Sequence, residues 1–142
     1  MPENPFIQIR APFLGIMPGE EDELVNDGMY GKALALYLQK RLSEHGYRAP
    51  RIVCEDWGWW VTVADLPFSC GLCIYGVQIG ETNELDLCVT VSAAKERRWS
   101  WKLFRFIDTT SDVEKLHGTV RKICDLDSAI TVVGETADYP LA

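Results

Sequence analysis

Leu85-Asp86-Leu87-Cys88-Val89-Thr90-Val91-Ser92-Ala93 alternates apolar and polar residues without a break. A strand points successive side chains to opposite faces, so this stretch predicts a strand with Leu85, Leu87, Val89, Val91 and Ala93 on one side. Asp86, Cys88, Thr90 and Ser92 take the other side, which is expected to be partly wet. Upstream, residues 71–79 are nearly all apolar, as in a strand covered on both faces. Residues 80–83 supply the turn between the two. Residues 57–63 read as another strand, with Trp57, Trp59, Val61 and Val63 inward and Trp60 and Thr62 on the opposite, open face. Residues 51–56 make a short strand. Residues 6–10 alternate weakly, and residues 13–17 extend them.

Two helices flank this run. Tyr30, Leu34, Tyr37, Leu38 and Leu42 recur at spacings of three and four, predicting a helix over residues 29–45 that Gly46 stops. Val113, Leu116, Val120, Ile123 and Cys124 make the stripe of a second helix, ending near Leu126 with N-cap candidates at residues 109–111. Residues 99–107 suit either element, and their aromatics favour a strand. Residues 129–133 are a last short strand, and the acidic tail beyond is expected to fray. Strands and helices do not alternate regularly, which argues against a doubly wound parallel sheet. The expected class is α+β: one twisted, mainly antiparallel sheet of about five to seven strands with both helices on one face.

The chain has 142 residues, 47% hydrophobic and 25% charged, a composition that fits one globular domain spanning residues 1–142. Asp plus Glu is 21 against 14 for Lys plus Arg, a net charge of -7. Nonspecific nucleic-acid binding needs bases to displace counterions, so no nucleic-acid partner is expected. One basic cluster exists: Lys95, Arg97, Arg98, Lys102 and Arg105, interleaved with Trp99 and Trp101. Strand alternation would split it over two faces. An acidic chain is better matched to a basic protein partner. Residues 66–79, the longest uncharged apolar-rich run, fall short of the ~20 residues a bilayer span takes, so no membrane role is expected. Met1-Pro2-Glu3-Asn4-Pro5 shows no basic or apolar leader region, and a cytoplasmic site is expected.

Five cysteines, Cys54, Cys70, Cys73, Cys88 and Cys124, are an odd number in apolar contexts, which fits reduced thiols. Cys70-Gly71-Leu72-Cys73 is a CxxC, but it opens a strand rather than the helix a redox pair uses. No second CxxC completes a zinc site, and His45 and His117 fall on separate predicted helices, near the edges of their stripes. No P-loop, GxGxxG, GxSxG or HExxH is present. No metal, cofactor or catalytic residue is therefore assigned.

Glu55-Asp56-Trp57-Gly58-Trp59-Trp60 is the most unusual stretch, two carboxylates beside three tryptophans. Its plainer reading is core packing with a carboxylate at a strand start. The functional reading is an aromatic binding surface with an acidic rim. Adjacent strand residues face opposite ways, which weighs against a paired-carboxylate catalyst. Glu20-Glu21-Asp22-Glu23 is expected to be a solvated, exposed run of little structural weight. Glu20, Glu21, Asp22, Glu23, Glu55, Asp56 and Trp60 are thus the candidate partner-binding residues.

Asn26-Asp27-Gly28, the Leu-rich helical stretch of residues 31–46 and the Glu-Asp-Trp-Gly-Trp of residues 55–59 together resemble a group of small uncharacterised bacterial proteins. Small acidic α+β chains of this kind are also similar to immunity proteins of bacterial toxin systems. The resemblance implies tight protein–protein contact that blocks a cognate toxin, with no cofactor and no catalytic residue. The alternative is a small enzyme or ligand-binding domain using residues 55–60 in a cleft. A homodimer through a strand edge is a third reading.

Overall fold

The computed structural model describes residues 5–66, 68–93 and 111–141 with their side chains, and residues 97–100, 105–108 and 110 by their backbone. The strands are β1 (Phe6–Arg10), β2 (Arg51–Cys54), β3 (Trp59–Val63), β4 (Cys70–Gln78), β5 (Leu85–Ala93), β6 (Arg97–Ser100), β7 (Arg105–Asp108) and β8 (Thr131–Thr136). The helices are α1 (Lys32–Glu44) and α2 (Thr110–Leu126). Six strands form one antiparallel sheet in the order β2-β3-β4-β5-β1-β8, and β6 pairs with β7 as a separate hairpin. The α+β class with an antiparallel sheet is as expected.

The register explains the burial. Val61 pairs with Leu72, Leu72 with Val91, and Ile74 with Val89, so each row of apolar residues crosses the sheet on one face. Ile7 sits opposite Val89 and Ile9 opposite Leu87, adding two more. Leu34, Ala35, Leu38 and Leu42 of α1 and Val113, Leu116, Val120, Ile123 and Cys124 of α2 join the same continuous core. Both helices therefore cover one face, and the other lies open to side chains and solvent. The alternation read from residues 85–93 is correct in phase, but the side expected to be partly wet is so only at Asp86 and Ser92, because Cys88 and Thr90 are buried. The two-sided covering expected of β4 is not found: Cys70, Leu72 and Ile74 are buried, while Cys73, Tyr75 and Val77 on the open face are half-buried.

Several boundaries shift for identifiable reasons. The extension of β1 is instead a 3-10 turn at Pro12–Leu14, which Pro12 initiates. Helix α1 starts three residues later than the stripe suggested. Tyr30 is drawn off into a bridge with Gly76, occupying the edge of β4 just past the point where β3 begins. Gly31, at φ 145, then turns the chain into the helix. The ambiguous residues 99–107 contribute to two strands, β6 and β7, rather than one; residues 101–104 lie outside those described. The tail is not left loose, because Tyr139 packs against Phe6 and Tyr75 and Leu141 is 6% exposed. His117 is half-buried, its Nε2 3.0 Å from the Pro5 carbonyl and 3.6 Å from a Glu135 carboxylate oxygen. Among the described residues, no helix is long and apolar enough to cross a membrane.

Candidate functional site

Residues 55–58 form a tight turn between β2 and β3. The Glu55 N–H donates to the Gly58 carbonyl at 2.7 Å, and the Gly58 N–H returns to Glu55 at 3.3 Å. Gly58 has φ 154, and a Cβ there would lie 2.3 Å from the Ile74 carbonyl oxygen, so only glycine fits this approach. The turn resets the strand phase. Trp57 stands outside β3 and does not share the face of Trp59, correcting the expectation that both point inward. Trp59 is 3% exposed and packs in the core, and its Nε1 has no hydrogen-bond partner among the described residues. Trp57 instead reaches the open face.

Trp60 occupies the open face, as its position in the alternation requires. Its ring lies over Gly71, where an added Cβ would come within 2.4 Å of it. Its Nε1 donates to Thr62 Oγ1 at 3.0 Å. Trp57 meets Trp60 edge-on at 6.5 Å between centroids and Tyr75 at 5.5 Å. Tyr75 meets Phe6 at 5.8 Å and Tyr139 at 5.2 Å, and Phe6 meets Tyr139 at 5.8 Å. Five rings from β1, β3, β4, the 55–58 turn and the C-terminal segment thus form one cluster on the open face.

Beside this cluster is an open groove of about 640 Å³, lined by Phe6, Asn26, Met29, Asp56, Trp57, Tyr75 and Tyr139. It sits where β3 begins and Tyr30 takes over the edge of β4. Burial pushes the Tyr75 and Tyr139 hydroxyls above the usual phenol range, so both rings are neutral at physiological pH. Asp56 is the acidic side chain of the groove, and it is exposed. Beneath the rings, the Cys88 thiol is buried and pushed up to about 12.

The acidic run behaves differently from its expectation. Glu20 is 0% exposed. Its carboxylate accepts the N–H groups of Met17 at 3.0 Å, Gly31 at 2.9 Å and Lys32 at 3.0 Å. It therefore caps the start of α1 from a distance, replacing the side-chain cap that Gly31 cannot supply. A carboxylate so enclosed has no surface to offer a partner, so Glu20 leaves the candidate set. Glu21, Asp22 and Glu23 are exposed, and Glu23 pairs with Lys32 at 2.6 Å. Glu55 is half-buried and does not line the groove.

Asp56 and Trp60 are thus brought to the same face, while the 20–23 run is split between a structural and an exposed part. Phe6, Tyr75 and Tyr139 escaped the sequence reading. Tyr75 was hidden in an apolar run, and nothing local marks Tyr139 as a packed residue. The side chains of the basic cluster at residues 95–105 lie outside the described residues. No disulfide joins any of the five cysteines; alternation separates Cys70, on the helix face, from Cys73, on the open one. Among the described residues, no three or more His, Cys, Asp or Glu side chains gather to hold a metal ion. No protein-family model, curated protein or solved structure matches this chain.

Proposed function

We propose that this chain is a non-enzymatic binding protein, an immunity protein that occludes a basic bacterial toxin with the open face of its sheet. The observation that supports this reading best is the five-ring cluster beside Asp56. Aromatic rings bury much area at small entropic cost and dominate the energetics of interfaces. A net charge of -7 favours fast encounter with a basic surface. Five cysteines without a disulfide among them support a cytoplasmic site of action.

The test is growth rescue. Where the neighbouring upstream gene encodes a toxin-like protein, cells producing that protein are expected to grow when this chain is co-expressed. The Trp60→Ala variant is expected to fold and to lose rescue, through an affinity loss of ~2 kcal/mol or more. Rescue by Trp60→Ala and Trp57→Ala alike would contradict the assigned face. A second reading, a small-molecule binding domain, is favoured by the groove volume, which falls within the ~300–1,000 Å³ of ligand sites. Saturable thermal stabilisation by a small molecule, with no protein complex formed, would select it.

A further inference from the structure

The groove combines four aromatic rings with one carboxylate, and that combination has a definite chemical preference. The face of a Trp or Tyr ring is negative and attracts a cation held within about 6 Å of its centroid. The molecule supplies such cations elsewhere from its own chain: Lys32 Nζ lies 6.0 Å over Trp59, and the Arg41 guanidinium 5.3 Å over Tyr37. Among the described residues, no cation lies over Phe6, Trp57, Tyr75 or Tyr139, and no ion pair holds Asp56. The remaining lining residues, Asn26 and Met29, are uncharged. Among the described residues, neutral rings and one carboxylate without an ion pair thus share the groove, in a molecule whose net charge draws cations.

We propose that this groove receives a cationic side chain, guanidinium or ammonium, from a basic protein partner. The rings would hold its alkyl stem and delocalised charge, and Asp56 its N–H groups. This inference rests on the binding-protein reading above and adds the chemistry of the contact.

The test uses N-acetyl-arginine methylamide, N-acetyl-lysine methylamide and, as the neutral match for arginine, N-acetyl-citrulline methylamide. Each is titrated into the full chain while the indole N–H resonances of Trp57 and Trp60 are followed by NMR. Saturable shifts with arginine or lysine, and binding of citrulline about fivefold weaker or less, are expected. The Asp56→Asn and Trp57→Ala variants, both at an outward turn, are expected to keep the native spectrum elsewhere and to lose about fivefold or more in affinity. Equal binding of citrulline, unchanged binding by Asp56→Asn, or absence of any indole shift would overturn the proposal. If a protein partner still binds Asp56→Asn with native affinity, the cation inference fails and the binding-protein reading stands. If the cations bind and no protein complex forms, the partner is ruled out, while the preference of the groove for cations stands.

Discussion

Glu20 and Asp56 are both acidic residues at turns, yet they serve opposite ends. Three main-chain N–H groups converge on the Glu20 carboxylate, two of them at the first turn of α1. Removing it strands buried or half-buried donors, each worth ~1–3 kcal/mol when unsatisfied. Glu20→Ala is therefore expected to destabilise the chain by about 2–4 kcal/mol in urea titration. Changing Glu21 or Asp22 to Ser should stay within about 0.5 kcal/mol. Equal effects at Glu20 and Glu21 would show that the carboxylate is no cap. Gly71 is the counterpart on the open face. Its missing side chain leaves the seat of the Trp60 ring and clears the Val61 carbonyl oxygen, so Gly71→Ala should force the ring outward and strain the β3–β4 pairing. A red shift of tryptophan emission with the helix content retained would register the change. The distinction between Glu20 and its neighbours was not legible in the sequence. Four consecutive carboxylates look alike until the fold brings Gly31 beside one of them.

At the scale of elements, the strands sort the cysteines and tryptophans by face. Cys70 and Cys124 lie in the core, Cys88 under the aromatic cluster, and burial pushes their thiols to about 11, 12 and 12. A raised folded-state value means the folded chain keeps protons that the unfolded chain releases near 9. These groups therefore cost no stability below that pH, and the melting temperature should fall as pH rises from about 9 toward 12. A flat profile over that window would contradict their burial. At neutral pH a disulfide reagent should modify Cys54 and Cys73 first, and the other three only on unfolding. Trp59→Ala should cost ~3–5 kcal/mol, as for other buried aromatics, and Trp57→Ala much less. The strands β3 to β5 and the stripe of α2 were legible because alternation and 3.6-residue periodicity are local signals. The inward assignment of Trp57 failed because a four-residue turn, with Gly58 at its close, breaks the alternation that the sequence continues. The aromatic cluster was illegible for a different reason: Phe6, Tyr75 and Tyr139 come from distant segments, and the first two meet across β5, which pairs with both β1 and β4.

Seen whole, the molecule has a helix-covered face and an open one, and the proposed contact lies on the open one. Excess negative charge should act mainly on encounter. Raising the salt concentration is expected to slow association with a basic partner while changing dissociation much less. The location of the contact is the central claim, and tryptophan reports on it directly, because Trp59 lies under the helices while Trp57 and Trp60 lie across the sheet from them. The decisive measurement is fluorine NMR of the chain labelled with 5-fluorotryptophan, with resonances assigned by single Trp→Phe substitutions, as a basic toxin whose growth arrest the chain relieves is added. The Trp57 and Trp60 signals are predicted to shift on complex formation while Trp59 holds its position. A complex that forms with Trp57 and Trp60 unmoved would contradict the assignment of the open face.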